Sequence, residues 1–181
     1  MIQRSAIERI LGGDPVRKTM LCLSLLLMFS SAAQTPSLPA TDISSADIQA
    51  FINAMPPGKV TDDPIRIVDV GGYHVGVYGV LRPKSIPQEA NVHRTKVTEI
   101  YYILEGSATL VTGGNLPNPH QQSPGSTTFQ GTHIDGGTSR KVSKGDVVII
   151  PGRTPHWFSS QEGDLRYLIF RPDPESELPL K

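Results

Sequence analysis

From Ile65 onward, apolar and polar residues alternate with a period of two in short runs. "IRIVDV", "YHVGVYGVL", "VTEIYYIL", "SATLVTG", "RKVSKG", "DVVIIP", "HWFSS" and "LRYLIFRP" are separated by GG, RPKS, EG, GGN, KGD and EGD, all of which are turn punctuation. Many short strands with no helical pattern between them predict an all-β sandwich or barrel. No internal repeat breaks the series. Residues 113–139, "GGNLPNPHQQSPGSTTFQGTHIDGGTS", read as a polar insertion carrying one strand near Thr127 to Ile134. A loop of that length and composition is suited to capping a barrel mouth.

Upstream the period changes. "SADIQAFINAM" places Ile48, Phe51, Ile52 and Met55 at helical spacing, with Ser45 as the candidate N-cap and "PPG" at 56–58 as the stop. This predicts one amphipathic helix packed on the domain, preceded by the linker "QTPSLPATDISS". Ile100, Tyr102 and Leu104 form an apolar outer face on their strand. The helix is expected to cover part of it, with a second subunit in a homodimer as the other occupant.

The N-terminus has the pattern of a targeting segment. Arg17 and Lys18 precede the apolar run "MLCLSLLLMF", and Ser31 and Ala33 suit cleavage after Ala33. The run is shorter than the roughly 20 residues a membrane-spanning helix needs. Export to the periplasm or medium is therefore expected, with no membrane association after removal of residues 1–33. Glu8 and Asp14 make the leading region unusual and leave a later start open. Cys22 is the chain's only cysteine and lies in this segment, so the mature form has neither disulfide nor thiol chemistry.

Charge excludes one class of partner. The 17 basic and 17 acidic residues cancel, and loss of residues 1–33 leaves 13 against 15. Without a basic patch interleaved with aromatics, nucleic acid is not an expected partner. The 17 glycines and 16 prolines agree with a turn-rich β protein.

Candidate chemistry is concentrated in two stretches. In "HRTKVTEIYYILEG", His93, Thr95, Glu99, Tyr101 and Ile103 share one parity and would face one side of a continuous strand. In "GDVVIIPGRTPH", His156 opens a strand directly after a Pro-containing turn. Two imidazoles and a carboxylate on converging strands make a first shell for a divalent ion. On spacing alone, a lone histidine on a strand is more often an ordinary hydrogen-bonded residue than a ligand.

These two stretches resemble the paired motifs of the cupin superfamily. His93, Glu99 and Gly106 fall at the separations of the first motif, and Gly145, Pro151 and His156 at those of the second, over about Ile65 to Arg171. Four positions depart from the pattern: Pro87 and Arg153 stand where glycines belong, Thr95 where a second histidine belongs, and Ser160 where an asparagine belongs. The resemblance implies a double-stranded β-helix, or jelly-roll, cupin barrel over residues 65–171. Residues 34–64 would form the linker and helix, and residues 172–181 a tail. It also implies a divalent metal (Fe, Mn, Ni or Zn) held by His93, Glu99 and His156, with Thr95 leaving a coordination position open.

Two functions follow from that resemblance. One is a metal-dependent enzyme acting on a small organic molecule by dioxygenase, isomerase or lyase chemistry. The other is a small-molecule or sugar-binding cupin without turnover, metal-free in one form. Tyr101, His133 and His74 are the accessory acid or base candidates. His120 and His133 in the insertion are expected as solvated loop residues, either of which could replace the missing imidazole by folding over the mouth. Of Trp157 and Phe158, which point to opposite faces, at most one lines the pocket.

Overall fold

The computed structural model describes residues 37–181. The targeting segment expected at 1–33 lies outside them. Eleven strands and one helix make up the described chain: α1 (Ser45–Ala54), β1 (Thr61–Asp69), β2 (His74–Arg82), β3 (Ala90–His93), β4 (Glu99–Glu105), β5 (Ser107–Thr112), β6 (His120–Gln121), β7 (Thr128–Gly131), β8 (Thr138–Ser143), β9 (Val147–Ile150), β10 (His156–Gln161) and β11 (Leu165–Asp173). They form two antiparallel sheets, ordered β1-β2-β11-β4-β9 and β6-β7-β3-β10-β5-β8. Each sheet interleaves early and late strands, and β2-β11-β4-β9 against β3-β10-β5-β8 is the pairing of a double-stranded β-helix. The all-β jelly-roll barrel with one N-terminal helix is thus the observed fold.

The alternation read from the sequence explains why the sheets close on each other. Tyr78 and Val80 from β2, Tyr101 and Ile103 from β4, Leu110 from β5, Phe158 from β10 and Tyr167 and Ile169 from β11 meet in one buried cluster. Each large side chain so buried contributes about 1.5–3 kcal/mol relative to exposure. The aromatic members pack ring against ring, with Tyr101 and Tyr167 centroids 4.8 Å apart and their planes tilted by 44°. At the β4–β5 turn, Gly106 adopts φ +86°, and a Cβ there would meet the Asp164 carbonyl oxygen. Only glycine fits that position.

Helix α1 starts one residue earlier than expected. Ser44, not Ser45, is the N-cap, its hydroxyl accepting from the Asp47 N–H at 3.1 Å. Ile52 and Met55 pack with Leu81 and Leu168 on the outside of the five-stranded sheet, joined by Ile48, Phe51, Ile65 and Leu104. Tyr102, by contrast, stays 41% exposed beside Val147 and Ile149 on β9. The helix thus covers Leu104 but not Tyr102.

The barrel begins at Thr61 rather than Ile65, and β11 runs on to Asp173. Residues beyond it are bound to the barrel: Ile67 and Lys181 exchange backbone hydrogen bonds of 3.0 and 3.1 Å, and the Leu178 N–H donates to Asp173 Oδ2 at 2.7 Å. In residues 113–139, β6 and β7 extend the six-stranded sheet through β3. The insertion is therefore part of the sheet, although short, polar β3 and β6 give little periodic signal.

Candidate functional site

His93 and Glu99 do not lie on one continuous strand. His93 ends β3 in the six-stranded sheet and Glu99 opens β4 in the five-stranded sheet. Between them the chain crosses over, pinned by Arg94 N–H to Thr127 O at 2.9 Å and Thr98 N–H to Pro172 O at 3.1 Å. Shared parity along one strand is therefore not what brings them together; the crossover is. His156 opens β10 beside β3, pairing with Asn91 and Thr112. Two imidazoles from one sheet thus face a carboxylate from the other.

The three side chains present ligand atoms within 4.8 Å of one another. Glu99 Oε1 lies 3.7 Å from His93 Nε2, and Glu99 Oε2 lies 3.3 Å from His156 Nε2. An ion with bonds of about 2.1 Å places adjacent ligands about 3–3.5 Å apart, so the donor set fits a first-row divalent ion. Each imidazole is held from behind. His93 Nδ1 is 2.8 Å from the Thr128 hydroxyl, and His156 Nδ1 is 3.0 Å from the Thr154 carbonyl. Such contacts fix ring orientation and tautomer in metal-binding histidines.

The carboxylate also has two partners, of which the sequence had singled out Tyr101 but not Arg171. Arg171 donates to Glu99 Oε1 from Nε at 2.8 Å, and its Nη2 lies 2.7 Å from the same oxygen as an ion pair. Its Nη1 and Nη2 reach Asp62 at 3.0 and 2.7 Å, and its guanidinium lies 4.1 Å from the Tyr78 ring centroid. Tyr101 donates its hydroxyl proton to Glu99 Oε2 at 3.0 Å. Tyr101 is thus both a core residue and a polar partner of the site.

These contacts determine the charges at neutral pH. Burial alone would push the Glu99 carboxyl up, but the Arg171 guanidinium overrides it and holds it well below the usual range. Burial pushes His93 down to about 4 despite the opposing pull of Glu99, so its ring is neutral. Burial, then the Glu99 charge, pushes the Tyr101 phenol up, which keeps it a donor.

The remaining candidates are sorted by position. Thr95 lines the same cavity, which encloses about 650 Å³. His74 is outside it, its Nδ1 bonded to the Leu178 carbonyl at 2.7 Å. His120 and His133 are exposed and face Glu89 at 4.0 Å and Asp135 at 3.2 Å, so neither replaces the missing imidazole. The insertion nevertheless supplies Thr128 behind His93, and Gln122 and Gln130 on the cavity wall. Phe158 belongs to the core, and Trp157 donates its indole N–H to the Gln88 carbonyl at 2.8 Å.

Arg153, standing where the cupin pattern has glycine, adopts φ +66°, the left-handed conformation that favours glycine. The turn is therefore kept with a residue that strains it. Gly152 beside it packs against the backbone of Lys96, where an added Cβ would come within 2.7 Å.

No family model and no curated protein matches the chain in sequence. Solved structures align with it at low identity. They include an RmlC-like cupin family protein with a double-stranded β-helix fold from Methanocaldococcus jannaschii, at 13% identity over 67% of this chain and 89% of that one, with a TM-score of 0.40. A cupin-like protein from Thermotoga maritima aligns at 17% identity over 67% and 74%, with a TM-score of 0.41. A protein from Bacillus halodurans aligns at 13% over 78% and 86%, with a TM-score of 0.47.

Proposed function

We propose that this chain is an exported, single-domain cupin that holds a divalent metal on His93, Glu99 and His156 and takes a small organic molecule into the adjoining cavity. The observation that carries the metal reading is at His156. Its Nδ1 faces the Thr154 carbonyl, which can only accept, so Nδ1 carries a proton and Nε2 is turned toward Glu99 Oε2 at 3.3 Å. With Nε2 unprotonated, as a metal ligand must be, two lone pairs face each other in a buried site. A cation between them satisfies both.

A bound ion would supply Lewis acidity or redox chemistry according to its identity. The chain's own residues orient and exclude. Thr128 and Thr154 fix the imidazoles, Arg171 anchors one carboxylate oxygen, and Tyr101 holds the other while filling the core below it. Beyond the ligands, Tyr101 is the one phenol in contact with Glu99 and the nearest proton donor for a molecule seated there. The barrel hosts many reactions, so the fold alone selects none among dioxygenation, isomerisation and elimination.

One observation favours a second reading, a metal-free binding barrel. Arg171 already compensates the Glu99 charge, so the carboxylate is not left bare without an ion. Elemental analysis of protein purified without chelator or affinity-tag histidines separates the two. Stoichiometric iron, manganese, nickel or zinc, lost in His156→Ala, is the result expected. Protein that stays metal-free after reconstitution, or metal content unchanged in His156→Ala, overturns the metal reading. Export rests on the pattern from Arg17 to Ala33 and is tested by N-terminal sequencing of protein recovered from cell fractions. A mature chain starting at Gln34 is the expected result.

A further inference from the structure

Arg82 is the cation of the cavity that has no anion. Arg171 is neutralised by Asp62 and Glu99, whereas no carboxylate pairs with Arg82 among the described residues. Its head group is held instead by neutral acceptors. Nε donates to the Tyr167 hydroxyl at 2.6 Å, and Nη1 donates to Gln88 Oε1 at 2.7 Å. The guanidinium carbon lies 5.7 Å from the Phe158 ring centroid and 6.0 Å from that of Tyr167. Gln88 is itself fixed, its amide donating to the Ile86 carbonyl at 2.6 Å and its own carbonyl accepting from Trp157 at 2.8 Å. A long, mobile side chain is thereby held in one orientation.

That orientation leaves one edge free. Nη2 has no acceptor among the described residues, and it is not sealed in, because the one buried side-chain polar atom without a partner among them is Thr61 Oγ1. The free edge therefore opens into the cavity, whose lining includes Arg82, Gln88, His93, Glu99 and His156. An arginine keeps its charge in any protein environment, so this positive charge persists at every working pH.

We infer that Arg82 is the seat for the carboxylate of a small organic acid that occupies the barrel alongside the His93, Glu99 and His156 cluster. This deepens the small-molecule reading given above but does not require the metal. A singly charged carboxylate matches the one guanidinium nitrogen left free, Nη2. A phosphate dianion asks for a second cation, and the other arginine of the cavity, Arg171, is already compensated. The apolar body of the acid would lie against Ile86 and Pro87 on the same wall.

The test titrates untreated and chelator-treated protein with benzoate and propionate, and with benzamide and propionamide as neutral isosteres, by calorimetry at neutral pH. A carboxylate is expected to saturate the protein, its amide to bind at least about tenfold more weakly, and Arg82→Gln to lose about the same factor with metal content unchanged. Arg82→Lys, which keeps the charge, is expected to retain intermediate binding. The inference is overturned if no carboxylate saturates, if acid and amide bind alike, or if Arg82→Gln binds as the wild type does. Loss of binding on chelation or in His156→Ala, with Arg82→Gln unaffected, would place the anion on the metal cluster and equally overturn it. Protein that takes up no metal yet binds benzoate or propionate through Arg82 supports this inference while overturning the metal reading.

Discussion

Arg171 donates from Nε to Glu99 Oε1 at 2.8 Å and brings Nη2 to 2.7 Å from the same oxygen, so Oε1 carries the whole ion pair. Oε2 is left to face His156 and Tyr101. Oε1 also faces His93 Nε2, at the longer distance of 3.7 Å, so the carboxylate is shared unequally between a structural partner and the ligand cluster. Both halves have consequences that can be measured.

Removing the structural partner exposes the competition. Arg171→Gln leaves Glu99 and Asp62 without their shared cation, at an expected cost of about 3–5 kcal/mol in the metal-free protein. An added divalent ion replaces part of that charge, so the rise in Tm on metal addition should be larger in the variant than in the wild type. An equal or smaller rise would show that arginine and metal do not share Glu99.

Tyr101→Phe removes one donor from the ligand-facing oxygen while keeping the ring that fills the core. A hydrogen bond to a charged group contributes about 1.5–3 kcal/mol, and the variant should be destabilised by that amount in denaturant titrations. Metal stoichiometry should not change, because Tyr101 is not one of the three ligands.

Acid should weaken the metal-free fold in a defined window. His93 protonates near 6.5 when unfolded but only near 4 in the barrel, so between those values the unfolded chain binds a proton that the fold refuses. Stability from this group is full above pH 6.5, falls as pH drops toward 4, and changes no further below. The loss is at most about 3 kcal/mol, reduced by solvent because the side chain is 28% exposed. Glu99, held below the usual carboxylate range, adds its own loss at still lower pH. His93→Gln should flatten the upper part of a Tm-against-pH curve; an unchanged curve would remove His93 as its cause.

The turn before His156 offers a gain and a loss at neighbouring positions. Arg153→Gly relieves the left-handed conformation at φ +66° and should stabilise by about 1 kcal/mol. Little is given up, since the Arg153 Nε contact with the Arg94 carbonyl is long at 3.4 Å. Gly152→Ala drives a Cβ to 2.7 Å from the Lys96 backbone and should destabilise and reduce metal retention. Equilibrium unfolding of the two variants checks both signs.

The parts of this molecule legible in sequence were the local ones. Period-two runs located the long strands, and motif spacing selected His93, Glu99 and His156, which the fold does bring together. Glu99 and His93 meet for a reason the spacing did not contain, because the chain crosses between sheets from Arg94 to Thr98. Partners distant in sequence had no signature at all: Asp62 and Arg171 are 109 residues apart, and Arg82 and Tyr167 are 85 apart. A residue such as Arg82 reads in isolation as the polar end of a strand. Its meaning depends on which side chains the barrel places around it, and on the anion none of them provides.

The crossover between β3 and β4 has a mechanical consequence. The imidazoles belong to one layer of the barrel and the carboxylate to the other, so anything held by all three works as a rivet through both layers. Loading the cluster would then stiffen the sandwich as a whole. Amide hydrogen exchange in β10 and β4 should slow together on loading, although the two strands share no hydrogen bond.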